Sequence, residues 1–372
     1  MSETTTLAIL GGGQLGRMLA LAAAAMGVEV RSLDPSAGAP AGEVSMLTVG
    51  ALDNPDALRA TAAGAAVVTY EWEGVPADAA RGLEHDGWLV RPSTAALEVS
   101  QDRVTEKTTC AELGIPVTPF ARVDSRHDLE AALAQLGLPA ILKTRRGGYD
   151  GKGQHVISAP EDAPVAWDAL AAAGPLVLEA FVPFERELSI IAVRGLDGDV
   201  RTWPLVANHH RDGILRVSRA PAPQVTHSLQ QTADRYARAL LEHFGYVGVL
   251  TVELFQVGDT LLVNEMAPRV HNSGHWTIEG AATSQFENHV RAVLGWPLGD
   301  TSAIGASAMI NCIGVLPDPT VVLGIPGVHL HRYGKSLRSG RKVGHVTVIA
   351  PDDATLDTRL DALRSVMPPD IG

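Results

Sequence analysis

The most informative part of this chain is NEMAPRVHNSGH, residues 264–275. It follows an apolar run at residues 261–263, which predicts a strand that leads into the motif. Carboxylate, guanidinium, imidazole and amide groups stand close together in this one short segment. Side chains of these kinds, placed directly after a strand, are typical of a site that binds charged ligands.

A β-hairpin is predicted around this segment. A second apolar run, residues 249–257, contains Glu253, and Gly258 and Asp259 form a turn signal between the two runs. The hairpin would place Glu253 and Glu265 on neighbouring strands, where two carboxylates repel each other unless a cation lies between them. Mg²⁺ held by one or two carboxylates usually accompanies a polyphosphate. Two solvated glutamates are the alternative, but the apolar flanks and the Arg and His residues that follow favour the metal.

Composition limits the classes of protein to which the chain can belong. Its 372 residues predict two or three domains, and 46% hydrophobic with 19% charged residues is typical of a globular protein. A net charge of −12 disfavours a broad nucleic-acid surface. Cys110 and Cys312 form no CxxC motif and are predicted to be core residues. With no signal sequence and no apolar run of ~20 residues, we expect a cytoplasmic protein without a membrane partner.

The N-terminus predicts a βαβ unit. An apolar strand at residues 7–10 precedes GGGQLG at 11–16, a helix at 17–26 and a second strand at 28–33 that ends at Asp34. The glycines match the dinucleotide fingerprint, with Asp34 near the ribose position, and alone they would indicate an NAD-binding domain. Free amides at a helix N-terminus suit any phosphate. Glycines retained only for close helix–strand packing explain the motif equally well.

Acidic residues end the next strand of this region. The segment VVTYEWE, residues 67–73, is followed by a predicted strand at 88–90. In an open parallel sheet the carboxyl end of a strand faces the ligand crevice. Glu71 or Glu73 could therefore contact a substrate, although a solvated strand end is equally compatible with the pattern.

A second glycine-rich segment, RRGGYDGKGQ, occupies residues 145–154 after a predicted strand at 139–143. It does not fit the Walker A pattern. Its four glycines, three basic residues and one tyrosine predict a loop that closes over phosphates, with amides and a lysine as donors. An ordinary long hairpin loop is the alternative.

The remaining elements are assigned by periodicity. Helices are predicted at 103–114, 128–136, 228–244 and 285–294, strands at 176–182, 187–193, 200–208, 308–314, 328–331 and 345–349, and a polar turn at 209–213. A basic cluster at 335–342 is a solvated loop by default, and it gains significance only if the site must hold a substrate phosphate.

Six segments together carry a family resemblance. They are residues 11–18, 69–73, 101–103, 147–154, 264–276 and 340–345. In this order they resemble the ATP-grasp ligases, and most closely the synthases of purine biosynthesis that carboxylate 5-aminoimidazole ribonucleotide on N5. The resemblance covers nearly the whole chain.

The resemblance implies an α/β (α+β) protein with an ATP-grasp fold in three parts. These are an N-terminal Rossmann-like preATP-grasp domain at 1–101, a small lobe with a glycine-rich lid at 102–178, and a large lobe at 179–372 that includes a small C-terminal β-rich region for the substrate phosphate. It also implies a homodimer that uses ATP with Mg²⁺ or Mn²⁺. Bicarbonate would attack the γ-phosphate to form carboxyphosphate, and the CO₂ released in the closed site would carboxylate the ribonucleotide amine.

Roles for individual residues follow from the same resemblance. ATP would be bound by Arg103, Lys143, Gly148, Tyr149, Asp150, Gly151, Lys152, Gly153, Gln154, Glu179, Ala180, Phe181, Val182, Glu187, His210, Asn264 and Glu265. The metal would be bound by Glu253 and Glu265. The ribonucleotide would be bound by Gln14, Leu15, Glu73, Tyr149, Arg269, His271, Asn272, Ser273, Lys335, Arg341 and Lys342. Catalysis would rest on Arg269 at the bicarbonate, Asp150 as proton acceptor, His271 and Lys342.

Other functions remain to be weighed. A formate-dependent glycinamide ribonucleotide transformylase or a biotin carboxylase relative would share the fold, whereas a nicotinamide-binding protein would leave Glu253, Glu265 and Arg269 unexplained. A nucleotide-binding scaffold without turnover is the least specific alternative. Ala267 stands where many ATP-grasp enzymes have an asparagine that binds the metal. His271 and His275 have a metal-like spacing, but the Asn-Ser-Gly between them disfavours a helix and hence a histidine metal site.

Overall fold

The computed structural model describes residues 5–148 and 152–368. Within these ranges the chain forms a four-stranded parallel sheet, a four-stranded antiparallel sheet and a nine-stranded antiparallel sheet. No helix of the described part is both long and apolar enough to span a bilayer. The mixed α/β class predicted from the sequence is confirmed.

The parallel sheet forms the N-terminal domain. Its elements are β1 Thr6–Leu10, α1 Gln14–Ala25, β2 Glu29–Asp34, β3 Met46–Val49, α2 Pro55–Ala62, β4 Val67–Tyr70, α3 Ala77–His85 and α4 Thr94–Ser100. The strands lie in the order β3-β2-β1-β4, which confirms the predicted βαβ start. The strand predicted at 88–90 is only an isolated bridge between Val68 and Val90.

The small antiparallel sheet follows. Its elements are α5 Arg103–Glu112, β5 Phe120–Val123, α6 Arg126–Leu136, β6 Ala140–Thr144, β7 Gln154–Ile157, α7 Asp162–Leu170 and β8 Leu176–Ala180, with strand order β5-β8-β6-β7. The glycine-rich segment joins β6 to β7, as predicted. The domain boundaries stay predictions, and β8 crosses the one proposed after residue 178.

The large sheet contains the remaining strands. Its elements are β9 Arg186–Arg194, β10 Val200–Thr202, β11 Val206–Arg211, β12 Ile214–Ala220, α8 His227–His243, β13 Gly248–Val257, β14 Thr260–Ala267, α9 Thr277–Gly280, α10 Gln285–Leu294, β15 Ala306–Ile313, α11 Pro319–Val322, β16 Val328–Arg332, β17 Lys342–Ala350 and α12 Asp353–Arg364. The strand order is β14-β13-β9-β11-β12-β15-β17-β16, with β10 on β9. The C-terminal strands therefore continue the sheet that carries the predicted metal carboxylates.

Two sequence predictions in this sheet are wrong in detail. The strand expected at 200–208 is split at Pro204, because proline has no N–H to donate to a ladder. The polar turn expected at 209–213 is confined to Asp212 and Gly213, both with positive φ (55° and 73°), as a two-residue hairpin requires. His210 therefore lies within a strand and not in a loop.

The two faces of the large sheet differ in chemistry. One face is apolar: Leu188, Ile190 and Leu254 pack with residues of α8, and Val346 packs with residues of α12. At one end, the other face packs against α1 and α10. We call the rest of that second face the polar face. It carries Glu187, Ser189, Asn208, His210, Ser218, Glu253, Glu265, Asn311 and His345 on cross-strand pairs or at alternate positions of the same strands.

A buried histidine joins the N-terminal domain to the large sheet. The amide of Val249 donates to His289 Nδ1 at 3.1 Å, and His289 Nε2 lies 2.8 Å from Thr69 Oγ1. Because Nδ1 accepts a hydrogen bond, the proton resides on Nε2 and is donated to Thr69. Burial lowers the pKa of His289 to about 3, so the imidazole is neutral in the folded protein.

This contact should make the fold sensitive to acid. The ordinary histidine pKa is about 6.5, so the unfolded chain takes up a proton at residue 289 as the pH falls below that value, whereas the folded chain does not until about pH 3. The contribution of His289 to stability is therefore present above pH 6.5 and is lost as the pH falls. Between pH 7 and 5 the loss is about 2 kcal/mol. Urea unfolding of wild type and His289→Gln at both pH values checks this. Equal pH dependence of the two proteins would contradict it.

Candidate functional site

The two predicted metal carboxylates lie side by side. Glu253 of β13 pairs directly with Glu265 of β14, and a bulge leaves Asn264 without a cross-strand partner. Glu253 Oε1 lies 3.1 Å from His271 Nε2, and Arg103 donates from Nη1 to Glu265 Oε2 at 2.9 Å. The predicted hairpin and the neighbouring carboxylates are confirmed, and each carboxylate has a basic partner.

Glu253 remains ionised despite its burial. Burial alone would raise the pKa of its carboxyl group. The hydrogen bond from His271, together with the charges of His210 and Lys342, instead holds that pKa below its ordinary value. An ionised carboxylate is the form that binds a divalent cation.

The donor set fits Mg²⁺ bound together with a polyphosphate. The carboxylates of Glu253 and Glu265 offer oxygen atoms, and no group in the described part of the chain donates a hydrogen bond to the buried Oδ1 of Asn264. Within residues 5–148 and 152–368, no cluster of three or more His, Cys, Asp or Glu side chains could hold a metal. Mg²⁺ is commonly held by one or two carboxylates with the rest of its shell from phosphates and water. The ligands present are therefore suited to a metal that arrives with a nucleotide.

Arg103 connects this pair to the glycine-rich segment. Its Nη2 lies 3.4 Å from the carbonyl oxygen of Gly148, and its amide donates to the carbonyl of Arg145 at 3.0 Å. Arg145 in turn pairs with Asp102 at 2.7 Å, and Asp102 caps the helix that begins at Arg103. The helix cap therefore holds the base of the glycine-rich segment close to Glu265.

Part of the predicted lid is described. The carbonyl of Gly153 accepts the amide of Thr144 at 2.9 Å, and Gln154 begins β7. Tyr149, Asp150 and Gly151 lie outside the described residues. Their predicted roles, including Asp150 as proton acceptor, stay predictions.

A buried ion cluster occupies the predicted nucleotide end. Lys143 Nζ lies 2.8 Å from Glu179 Oε2, and Lys107 Nζ lies 3.5 Å from Glu179 Oε1. Burial lowers the pKa of Lys143, and the charge of Glu179 opposes that shift. The side chain of Glu179 is only 2% exposed and belongs to this cluster, so a contact with adenine falls to the backbone after it.

Part of the backbone after Glu179 already has hydrogen-bond partners within the protein. The amides of Ala180 and Phe181 donate to the carbonyls of Pro119 and Pro139 at 2.9 and 3.1 Å. Residues 180–182 are predicted to bind ATP, and a chain that leaves a buried strand can offer backbone N–H and C=O groups to the edge of an adenine. The carbonyl of Val182 also has a partner, because it accepts the amide of Phe184 at 2.9 Å. The contact would therefore fall to the carbonyls of Ala180 and Phe181 or to the amide of Val182.

Glu187 and His210, both predicted to bind ATP, are close to one another. His210 Nδ1 lies 2.6 Å from Glu187 Oε2, and both side chains are partly buried. Burial lowers the pKa of His210, but the hydrogen bond to Glu187 and the charges of Glu253 and Glu187 together outweigh burial and raise that pKa. Phe255 pairs across the sheet with Glu187, and its ring stacks on Phe184 with centroids 4.5 Å apart. A carboxylate next to an aromatic pair suits a nucleoside.

The predicted substrate-phosphate residues come from opposite ends of the chain. Lys335 donates a hydrogen bond to Gln14 Oε1, and Leu15 beside it is buried. Arg341 donates to Ser336 Oγ at 2.8 Å. Burial, assisted by the charge of Arg341, lowers the pKa of Lys335 to about 8. Clustered cations of this kind are stabilised by an anionic ligand.

A cavity adjoins this cluster. It has a volume of about 370 Å³ and is lined by Arg17, Glu43, Leu316, Arg332, Gly334 and Lys335. Cationic side chains outnumber the single carboxylate in its wall, which suits a phosphate. Lys342 stands apart from this cavity at the start of β17, where its charge acts on Glu253 and His210.

Arg269 and Glu73, both predicted to contact substrate, form an ion pair between the large lobe and the N-terminal domain. Burial alone would raise the pKa of Glu73, but the charge and hydrogen bond of Arg269 lower it. Gln101 donates from Nε2 to the carbonyls of Glu73 and Val75 at 2.8 and 2.7 Å. Gln101 thus fixes the segment after β4, and with it the side of the ion pair that Glu73 provides.

The N-terminal glycine motif does not offer free amides. Glu71 accepts hydrogen bonds from Gly13 and Gly16 at 2.9 Å each, and Asp34 accepts one from Gly12 at 2.9 Å. An internal carboxylate therefore occupies the place that a phosphate takes in a dinucleotide fold. The expectation of free amides is wrong for this reason, and neither Asp34 nor Glu71 is positioned to serve a nicotinamide cofactor.

The end of segment 264–275 lies across the polar face. Asn272 and Asn311 exchange two side-chain hydrogen bonds of 3.0 and 2.7 Å. Ser273 is fully buried against Ser189, and the ring of His275 lies 4.8 Å from that of His345. Asn272 and Ser273 were predicted to bind the substrate, and in this structure their side chains contact Asn311 and Ser189 of the sheet.

The buried charged residues Glu106 and Lys107 of α5 were not predicted as part of the site. Glu106 accepts a hydrogen bond from the amide of Met266, next to Glu265, and burial with the charge of Glu265 raises its pKa to about 8. Lys107 donates to the carbonyl of Asn264 at 2.9 Å. Arg103, Glu106 and Lys107 have the i, i+3, i+4 spacing of one helix face. This spacing is the sequence pattern from which the buried charges could have been predicted.

Known protein families match this chain over most of its length. Family models match an ATP-grasp domain at residues 108–286, a ribonucleotide synthetase preATP-grasp domain at 4–101 and a phosphoribosylaminoimidazole carboxylase C-terminal domain at 307–359. The N5-carboxyaminoimidazole ribonucleotide synthase of Pseudomonas aeruginosa is 46% identical over 97% of this chain and 99% of its own.

Two solved structures extend the comparison. The N5-carboxyaminoimidazole ribonucleotide synthetase of Thermus thermophilus is 53% identical and has a TM-score of 0.93, with 98% of this chain and 99% of that chain covered. The N5-carboxyaminoimidazole synthase of Aspergillus clavatus, in complex with ADP and 5-aminoimidazole ribonucleotide, is 32% identical and has a TM-score of 0.89, with 98% and 99% covered.

The internal carboxylate of the glycine motif gives a stability prediction. Glu71→Gln would turn an amide N–H₂ toward the donors of Gly13 or Gly16 and leave one of them unsatisfied. We expect a loss of about 1–3 kcal/mol in the free energy of unfolding. Urea denaturation measures this loss, with the exposed Asp78→Asn as control. Unchanged stability together with new binding of NAD would contradict this assignment.

Proposed function

This chain belongs to the N5-carboxyaminoimidazole ribonucleotide synthases, ligases of the ATP-grasp superfamily, and we propose how its residues divide the reaction. The reaction is the ATP-dependent carboxylation of 5-aminoimidazole ribonucleotide, which forms a C–N bond in purine biosynthesis. The observation that carries the proposal is the Glu253–Glu265 pair, which lies between a nucleotide end at Lys143 and Glu187 and a cationic cluster at Lys335.

We propose that the nucleotide lies along the polar face. Glu187 and His210 would hold the ribose, and Arg103 and Lys143 would contact the phosphates. Glu253 and Glu265 would hold Mg²⁺, which when bound neutralises polyphosphate charge and orients the γ-phosphate. The glycine-rich segment anchored by Arg145 would then close over the phosphates and exclude water.

The co-substrate is proposed to be bicarbonate. Arg269 is held by Glu73 through Nε and by the carbonyl of Val270 through Nη1, at 3.0 Å for the latter. Its remaining N–H groups would bind bicarbonate and then carboxyphosphate through charge-assisted hydrogen bonds. Because carboxyphosphate hydrolyses readily, water must be excluded until the ribonucleotide amine has taken up CO₂.

The ribonucleotide is proposed to lie between the N-terminal domain and the C-terminal strands. Its phosphate would be held by Gln14, Lys335 and Arg341, where the cationic cavity opens. Lys342 and His271 would lie nearer the reacting amine, because both act on Glu253. From the family resemblance we also propose a homodimer, which analytical ultracentrifugation checks.

The function is tested by ADP release from MgATP. We expect strong stimulation by 5-aminoimidazole ribonucleotide and dependence on bicarbonate. Stimulation by glycinamide ribonucleotide with formate would retain the fold and the metal site but assign the transformylase reaction. ATP cleavage that does not depend on bicarbonate would contradict the proposal that bicarbonate is the co-substrate.

The metal assignment predicts the effect of Glu265→Gln. Loss of this carboxylate leaves a single charged ligand for the cation, so kcat should fall at least about 100-fold while the fold is retained. The control is Asp259→Asn, at the exposed turn of the same hairpin. Steady-state ADP release measures both variants. Near-normal activity of Glu265→Gln would remove this residue from the metal site.

The phosphate assignment predicts the effect of Lys335→Ala. Loss of a charge-assisted contact should raise KM for the ribonucleotide about 10-fold or more, with a smaller effect on kcat. KM for ATP should stay near the wild-type value. The matched control is Arg338→Ala, an exposed cation of the same loop. Equal KM values in the two variants would mean that Lys335 does not bind the substrate phosphate and that the cluster is a solvated surface.

A further inference from the structure

A chain of hydrogen bonds crosses the polar face and ends at Glu253. Asn208 donates from Nδ2 to Ser189 Oγ at 3.0 Å, and Ser189 donates to Ser273 Oγ at 2.8 Å. Ser273 Oγ lies 2.9 Å from His271 Nδ1, and His271 Nε2 lies 3.1 Å from Glu253 Oε1. Ser189 and Ser273 are fully buried, so solvent does not compete for these bonds.

The donors along this chain have one consistent direction. Because Ser189 donates its hydroxyl proton to Ser273, the hydroxyl of Ser273 is available to donate to His271 Nδ1. The amide of Ser273 also points at Nδ1, at 3.3 Å. With two donors directed at it, Nδ1 must accept. The neutral imidazole therefore carries its proton on Nε2, which faces Glu253.

We propose that Ser273, supported by Ser189 and Asn208, is a positioning residue that selects the Nε2–H form of His271 and thereby orients Glu253 toward the divalent cation. This inference rests on the proposed metal site. Outer partners that fix the orientation of a metal-binding carboxylate affect metal affinity even though they never touch the ion.

The backbone of His271 is fixed independently of this chain. Its amide donates to Gln285 Oε1 at 2.9 Å, and its carbonyl accepts from Gln285 Nε2 at 2.6 Å. Asn272 is held by Asn311. The Ser273 hydroxyl is therefore not needed to place the segment. It sets which nitrogen of the imidazole carries the proton and how the ring is turned toward Glu253.

The test compares Ser273→Ala with Ser307→Ala. Ser307 is a buried serine of β15 whose hydroxyl has no hydrogen-bond partner among residues 5–148 and 152–368, so its removal is a matched control. ¹⁵N NMR of the imidazole in ligand-free protein identifies the nitrogen that carries the proton, and calorimetry measures Mn²⁺ affinity in the presence of ADP. We expect the Nε2–H form in wild type and in Ser307→Ala. In Ser273→Ala we expect a mixture of tautomers and about a 10-fold loss of Mn²⁺ affinity.

The outcomes separate the positioning role from the metal site. An Nδ1–H imidazole in wild type, or wild-type tautomer and affinity in Ser273→Ala, would overturn the proposal. If wild type binds no Mn²⁺ with ADP, the proposed metal site fails, while the NMR result still decides the role of Ser273. Should Ser273→Ala not fold, Ser189→Ala removes the donor one step earlier. It should shift the tautomer equilibrium in the same direction, and an unchanged NMR spectrum would overturn the proposal.

Discussion

The site depends on holding two carboxylates next to each other on one hairpin. Glu253 and Glu265 are paired across β13 and β14, where like charges destabilise each other unless cations surround them. Arg103, from the helix that leads into the small lobe, supplies a positive charge, and His271 of the large lobe supplies an N–H donor. Much of the polar structure around the site can be understood as support for this one unfavourable pair.

The same requirement explains how the parts of the chain meet. Arg269 with Glu73, and Lys335 with Gln14, join the large lobe and its C-terminal strands to the N-terminal domain through polar contacts at the site. His289 joins the same bodies farther into the core. The proposed ligand-binding surface is thus built from contacts that also hold the domains together, so we expect ligand binding to be linked to domain arrangement.

Because side chains alternate along each strand, the large sheet has one face that packs against helices and another that carries polar residues of the site. Residues at alternate positions pack against α8 and α12 on the apolar face, and their neighbours form the polar face that carries Glu253, Ser189 and Asn208. A strand period of two makes this division available to every strand at once. The buried hydrogen bonds that follow from it can fix orientation without contact to solvent.

The sequence was sufficient to predict local structure and the hairpin that carries Glu253 and Glu265. Apolar runs, glycine turns and helical spacing are short-range signals, and they predicted the βαβ start, the loop between β6 and β7 and the Glu253–Glu265 pair. Contacts between distant segments carry no such signal. Glu71 on the glycine amides, the burial of Glu179 among lysines and the reach of Lys335 to Gln14 depend on how the domains pack, because a side chain acquires its partner only when remote strands and helices come together.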